Sequence, residues 1–426
     1  MKKSFKYLLM PLMAIALAGC SSAKADSTGL SKDDGYAPDP SYGIPTGYDE
    51  WGEEGGTSVT GDTVADVDIA GEGAPEEPIS NKPKAGQLTC SALDDNEKYD
   101  YWKSLSEYQE DQKKGIFQTY REDFAFNTFN RIGLTINNGK NISVKIEGDS
   151  FSTAVDNLHH AYLFPQSVKE VYEAEISFID NNNERQTITR EVHDGDVIDL
   201  ENTFVISENL QIMFVIDATG SMGDEMEYIK SEIDDVISRV KEANASAHIE
   251  LAMMVYRDKG DDYLTKYSDF TTDITSQQDF LSGQRANGGG DFEEAVQTAL
   301  TEAMEKQWST NATKLLFHVA DAPAHDEDVP TWNNAALKAA EQGIKIITVA
   351  SSGISKKTEY FFRSQSLLTS GQYVYLTNDS GIGGHHIDAT VSEKITVEYL
   401  NDCLVRLING YYSGEFAEPV SYQQVQ

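Results

Sequence analysis

Basic residues are scarce in this chain of 426 residues: 34 lysines and arginines stand against 70 aspartates and glutamates, a formal net charge of −36. Such a surface repels nucleic acid and anionic membranes, which argues against phosphate-backbone binding. It suits cation binding, and it equally suits solubility or life in a salty medium. Cysteine is rarer still, with three residues, so stability rests on buried apolar cores. A chain of this length can form such cores in two domains. The only extended apolar run near the N-terminus is too short to span a bilayer. Also missing are a serine nucleophile elbow, a Walker phosphate loop and a His-Glu-x-x-His helix, which leaves little basis for catalysis.

What is present begins with a processing signal. "MKKSFKYLLMPLMAIALAGC" has a lysine-rich start, a short apolar core and a small-residue exit, the pattern of a secretory leader. Its end, Leu17-Ala18-Gly19-Cys20, resembles the lipobox of bacterial lipoproteins, which implies a mature chain anchored through a lipidated Cys20. Ser21 follows the cysteine in place of an aspartate. In a Gram-negative host this implies the outer membrane, so the expected location is the bacterial cell envelope, facing the periplasm or the surface. Residues 21–90 then hold fourteen acids and four bases with no sustained apolar period. Such a segment reads as a disordered tether spanning on the order of 45 Å.

Two folded regions follow. From 87 to 205 the pattern is short alternating strands with polar turns, a small β-rich, sandwich-like domain. "FNRIGLTI" and "ISVKIEG" flank Asn138-Gly139, a hairpin signal, and "VYEAEISFI" and "QTITREV" flank "DNNNE". The region weakly resembles carboxypeptidase-regulatory-like sandwiches and carries no chemical motif. His159 and His160 read as structural. From 206 to 413 strands alternate with helices, which predicts an α/β fold: a doubly wound, mostly parallel, Rossmann-like sheet. The chain thus divides into a leader (1–19), a lipidated acidic linker (20–86), the β-rich region, the α/β domain and a tail (414–426).

Sheets of that kind place ligands at the carboxyl ends of their strands. "LQIMFVIDATGSMGDEM" ends a buried strand in Asp217, Thr219 and Ser221, one carboxylate and two hydroxyls at every second position of a turn. "KLLFHVADAPAH" ends another strand in Asp321. Hard oxygen ligands from two strand ends suit magnesium, which is usually held by one or two protein carboxylates and several waters. The alternative is local: Ser221 or Thr219 caps the next helix, and Asp321 caps a turn.

The segment 206–413 resembles a von Willebrand factor type A domain. "DATGS" matches that family's Asp-x-Ser/Thr-x-Ser signature, the metal-ion-dependent adhesion site, and "VADAPAH" matches its later strand-end aspartate. "YRDKGDDY" and "NGGGDFEEA" match segments of bacterial members. The resemblance implies that Asp217, Thr219, Ser221 and Asp321 hold Mg2+ (or Mn2+ or Ca2+), directly or through water. Where many members place a threonine, this chain reads Gly288-Gly289-Gly290-Asp291. Asp291 either adds a carboxylate to the metal or caps the helix beginning "FEEAV".

Other clusters are weaker. "DKGDD" (258–262) reads as a solvated hairpin tip in preference to a calcium site, His318 as a packed histidine, and His385, His386 and Asp388 as a rim loop in preference to a transition-metal site. Cys90 and Cys403 could pair, or Cys403 could stay a thiol on an apolar helix face. The expected function is a membrane-anchored binding protein whose metal accepts a carboxylate presented by a protein partner. The alternatives are a metal-assisted hydrolase using the same rim, with His325 or Asp291 as base, or an envelope scaffold with a structural metal.

Overall fold

The computed structural model describes residues 83–107, 115–124, 126–203 and 206–425. The leader, Cys20 and most of the acidic linker lie outside them. The strands are β1 (Thr89–Leu93), β2 (Ile132–Asn137), β3 (Lys140–Ile146), β4 (Ser152–Ala154), β5 (His160–Leu163), β6 (Tyr172–Ile179), β7 (Arg185–Val192), β8 (Val197–Asp199), β9 (Asn209–Asp217), β10 (His248–Tyr256), β11 (Thr265–Thr271), β12 (Thr313–Ala320), β13 (Ile344–Ala350), β14 (Tyr373–Leu376) and β15 (Glu398–Tyr399). The helices are α1 (Tyr99–Leu105), α2 (Gln118–Asp123), α3 (Met226–Ala243), α4 (Ile274–Ser282), α5 (Val296–Met304), α6 (Val329–Gln342), α7 (Lys356–Leu368) and α8 (Leu400–Ser413).

The large sheet runs β11-β10-β9-β12-β13-β14-β1-β15. Its five central strands, β10, β9, β12, β13 and β14, are parallel, and β11, β1 and β15 are antiparallel additions at the edges. Strand β9 is buried on both faces. Leu210, Ile212, Phe214 and Ile216 pack with Met226, Ile229, Ile233 and Val236 of α3 and with Leu404, Leu407 and Ile408 of α8. Met213 and Val215 point the other way, into the core built by Leu300 of α5, Trp332 of α6 and Phe361 of α7. Helices on both faces explain the near-continuous apolar strands, because neither face meets water.

The β-rich region is two small sheets, β5-β2-β8 and β4-β3-β6-β7. The hairpin expected over "DNNNE" forms, with β6 and β7 paired antiparallel along their full lengths and Asn183 in the left-handed region at φ 64°. The one expected at Asn138-Gly139 does not. The chain turns there, with Asn138 at φ 59°, but β2 pairs with β5 and β8 while β3 pairs with β4 and β6. A turn signal fixes a change of direction and not the partner: here the two strands separate into the two sheets and bury Leu134 and Val144 in one core.

A second correction concerns the boundary at 87. Strand β1 lies in the large sheet, between β14 and β15. What draws it there is a carboxylate: Glu232 of α3, buried, accepts the backbone N–H groups of Gly86, Gln87 and Leu88 at 2.7, 2.9 and 3.0 Å. The next segment is tied down as firmly. Trp102 of α1 stacks on Tyr360 of α7 with centroids 6.0 Å apart. Phe126 meets the Trp332 edge at 5.7 Å, so the β-rich region and one face of the large sheet share a core. Glycine is required where they touch: Gly343 ends α6 at φ 70°, and a Cβ there would lie 2.7 Å from that of Ala154 in β4.

At this junction Arg363 is buried between two carboxylates. It donates from Nη2 to Asp95 at 2.6 Å and from Nη1 to Glu359 at 3.1 Å. All three side chains are sequestered from water, and the two anions push the guanidinium pKa up against the opposing effect of burial. Breaking such a group leaves charge buried without a partner. Arg363→Ala is therefore expected to destabilise the protein by about 3–5 kcal/mol in denaturant unfolding. Neutralising all three in the triple variant Asp95→Asn, Glu359→Gln, Arg363→Met should cost less than the single change. A triple variant weaker than Arg363→Ala would contradict this assignment.

Cys90 of β1 and Cys403 of α8 are both buried free thiols. They lie against one another, and the Cys90 thiol is pushed well above its ordinary pKa, first by burial and then by Cys403. Thiolate is the reactive form. In Cys20→Ser protein, thiol reagent should find no group in the native state and two after unfolding without reductant. Finding none after unfolding would mean that the pair is bridged.

Candidate metal centre

Strands β9 and β12 run in parallel register with Val319 opposite Ile216. Asp217 and Asp321 therefore leave the carboxyl ends of adjacent strands. Asp217 is fully buried. Its Oδ1 accepts the Thr219 N–H at 2.9 Å and the Thr219 hydroxyl at 2.7 Å; its Oδ2 makes no close hydrogen bond, and the neighbouring Tyr256 hydroxyl is spent on His318. Asp321 is likewise buried, with Oδ1 unpartnered. The Thr219 and Ser221 hydroxyls lie 3.2 Å apart. Neither serves as a helix cap: the 3₁₀ turn Gly220–Asp224 and α3 both begin without a side-chain cap. The hydroxyls instead face the carboxylates.

A third carboxylate joins them. Glu294 is buried with Oε2 unpartnered. Its backbone N–H donates to the Pro323 carbonyl at 2.9 Å, which holds the loop before α5 against the loop carrying Asp321. Burial, and then repulsion from nearby carboxylates, raises the pKa of all three acids. Asp217 is pushed up to about 7 by burial and then by Asp321. Asp321 reaches about 6, chiefly through burial and against the Ser221 hydrogen bond. Glu294 reaches about 9 through burial and then Asp217, Asp258 and Asp321. Arg257, the nearby buried cation, spends its guanidinium on the backbone carbonyls of Ala218 and Arg285. Three unpartnered buried carboxylate oxygens with no opposing side-chain charge fit a hard divalent cation.

Asp291 belongs to a second group of side chains. It is exposed, and its carboxylate gathers with Asp258 and His325, ligand atoms all within 4.8 Å of one another. It does not cap α5, which begins at Val296 without a side-chain cap. Asp258 is the correction to the reading of "DKGDD" as a solvated tip: it is buried and hydrogen-bonded from Oδ1 to His325 Nε2 at 2.9 Å. Asp261 is also engaged, its Oδ2 accepting the Gly289 N–H at 2.9 Å. That contact demands glycine in the middle loop. Gly288 sits at φ 87°, and a Cβ there would fall 2.4 Å from the Asp261 carboxylate.

The remaining histidines separate. His318 lies in the core, pushed down to about 3 by burial, and its Nε2 is 3.1 Å from the Tyr256 hydroxyl. His386 is buried against Glu225, Nε2 to Oε1 at 2.8 Å, whereas His385 and Asp388 are exposed. Among the described residues, these three form no group tight enough to share a cation. His159 sits in a turn at φ 67° just before β5, outside any strand. Sequence reading missed Glu294 and Asp258. The available signal was that both middle-rim motifs carry a second acid.

Comparison with known proteins locates the fold in a family. Residues 211–390 match the von Willebrand factor A domain. Two curated proteins are similar in part. The alpha-protein kinase vwkA of Dictyostelium discoideum is 29% identical over 170 residues, 39% of this chain and 27% of that protein. An ariadne-like RING finger protein, R811, of Acanthamoeba polyphaga mimivirus is 32% identical over 116 residues, 27% of this chain and 11% of that protein. This chain thus spans only a minor part of either relative. Among solved structures, the conserved hypothetical protein BatB from Bacteroides thetaiotaomicron is 13% identical, with a TM-score of 0.34, covering 47% of this chain and 98% of that one. The doubly wound sheet and the match over 211–390 agree: this part of the chain has a von Willebrand factor A-like α/β fold.

Proposed function

We propose that the protein is an anchored binding protein of the bacterial cell envelope. Its von Willebrand factor A domain holds a divalent cation on Asp217, Asp321, Thr219 and Ser221, and that cation accepts a carboxylate from a protein partner. The observation that carries the reading is the trio of buried, unpartnered oxygens on Asp217, Asp321 and Glu294. Glu294 is proposed as the third carboxylate, filling the position of the threonine absent from the middle loop. Three carboxylates around one divalent cation leave the site no net positive charge. An acidic partner then binds best by displacing Glu294, which sits on a loop and not on a strand end. Asp291, with Asp258 and His325, is proposed as a flanking group that can take a second cation.

One observation favours the hydrolase alternative: Asp258 orients the His325 imidazole at the rim, as a general base requires. The match of residues 211–390 to the von Willebrand factor A domain keeps binding as the stronger reading.

Calorimetric titration with magnesium and manganese tests it. Asp217→Ala should lose uptake at the strand-end site, because the remaining oxygens cannot compensate for dehydrating the ion. Its metal-free stability should be unchanged or slightly raised, since one of three crowded, desolvated acids is gone. Glu294→Gln should bind metal more weakly than wild type. Equal uptake by wild type and Asp217→Ala would defeat the proposal, and so would an Asp217→Ala protein that does not fold.

The anchor is proposed from Leu17-Ala18-Gly19-Cys20. Among the described residues, no helix is long and apolar enough to cross a membrane, so membrane attachment would fall to lipid on Cys20. One acyl chain holds weakly, but two or more anchor stably. Wild type should fractionate with membranes and Cys20→Ser with the soluble fraction. Wild type recovered soluble with an unmodified Cys20 would rule the anchor out.

A further inference from the structure

The amino ends of the central strands open onto a cavity of about 810 Å3 between the α/β sheet and the β-rich sheets. Its charge is the reverse of the chain's. Five cations line it: Lys140 and Arg185 from β3 and β7, and Lys306, Lys314 and Lys345 from the α/β part. The acids among the lining are only Asp156 and Glu341. Asp156 is already committed to Lys345, 3.5 Å away. Among the described residues, the other four cations make no ion pair.

That imbalance is unusual for this sequence. With 70 acids for 34 bases, a lysine placed at random on this surface would meet a carboxylate more readily than another lysine. Lys314 and Lys345 instead enter from neighbouring strands, Lys314 opposite Ile344 and Leu315 opposite Lys345. Lys345 is buried, and the Lys314 ammonium is satisfied only by the Gln342 carbonyl. Burial and then Lys345 push the Lys314 pKa down to about 8. Holding cations together in a partly desolvated recess is unfavourable without an anion to balance them. Trp308 and Met304 supply an apolar wall on the same lining. The volume falls in the range of pockets that hold whole organic ligands rather than single ions.

We propose that this cavity binds an organic polyanion, a small molecule bearing two or more carboxylate or phosphate groups, with its anionic groups on Lys140, Arg185, Lys306 and Lys314 and its carbon skeleton against Trp308. The site is independent of the metal centre. Strand β12 begins at the cavity with Thr313 and ends beside Asp321, and eight strand residues span about 25 Å.

The test uses the full chain, freed of divalent cations so that the probes cannot act as chelators. Citrate and inorganic pyrophosphate serve as carboxylate and phosphate probes, with sodium chloride at matched ionic strength as control. At least one probe should raise the thermal midpoint above the control and give a saturable calorimetric isotherm; which one does so assigns the anionic group. The double variant Lys140→Glu, Arg185→Glu alters two side chains at the cavity mouth and should weaken binding by roughly tenfold or more, from lost attraction and added repulsion. Its fold is checked by circular dichroism and a cooperative thermal transition, with Lys306→Gln as the substitute if the fold is lost. Asp217→Ala should bind the probe as wild type does, so failure of the metal reading would leave this site untouched. No stabilisation beyond chloride by either probe, or unchanged affinity in the variants, would overturn the proposal.

Discussion

The parallel pairing of β9 with β12 is the constraint on which the rest of the structure depends. A parallel pair has one fixed direction, so both strands deliver their carboxyl ends to the same rim. With Val319 opposite Ile216, a slip of one residue would turn the apolar set of one strand from helix face to helix face. It would also carry its terminal aspartate away from the other. The cores therefore hold the register, and the register holds the site. Leu316 and Phe317 of β12 are buried on opposite faces, so slippage would be opposed on both sides at once. Rigidity of this origin lets two like charges be held together, an arrangement that flexible loops would relax.

The rim then poses an electrostatic problem that only protons or a cation can solve. Asp217, Asp321 and Glu294 each carry an oxygen that is buried and unpartnered. Other buried acids in this chain are supplied with donors: Glu232 takes three backbone N–H groups, and Glu359 and Asp95 share Arg363. The same fold thus satisfies buried carboxylates where their role is structural and leaves three unsatisfied in one place. Fully orphaned buried polar atoms are uncommon and call for an explanation. A bound ion explains all three together, whereas capping or packing would need a separate account for each.

Sequence made some of this legible and hid the rest for physical reasons. Asp217 and Asp321 could be read because each ends an apolar run, and strand ends are fixed by local pattern. The alternating hydroxyls of Thr219 and Ser221 could be read for the same reason. Glu294 could not. Its position depends on an isolated pairing with Ala324, a contact between two loops that no periodicity encodes. Asp258 was misread because an acidic glycine-containing stretch looks like a solvated tip, yet its burial follows from a histidine sixty-seven residues away. The boundary expected at 87 put residues 89–93 outside the α/β domain because these five residues carry no mark of their partner. The mark lies in Glu232, far along the chain, whose carboxylate captures the backbone leading into it.

The two ends of the sheet also differ in a way that composition conceals. A net charge of −36 suggests uniform acidity, but the carboxyl ends of the strands gather buried acids while the amino ends gather lysines. Strands carry little net dipole, so the backbone of the sheet does not impose this polarity; the side chains do. The helices connecting the strands run antiparallel to them and point their positive N-terminal ends at the acidic rim and their negative C-terminal ends toward the cavity. Each charge cluster therefore meets the helix end that stabilises it. Gly343 ends α6 beside Lys314, and the Lys314 ammonium accepts that arrangement by donating to the Gln342 carbonyl in the last turn of α6. The fold that prepares one end for a cation prepares the other for an anion by the same alternation of strand and helix.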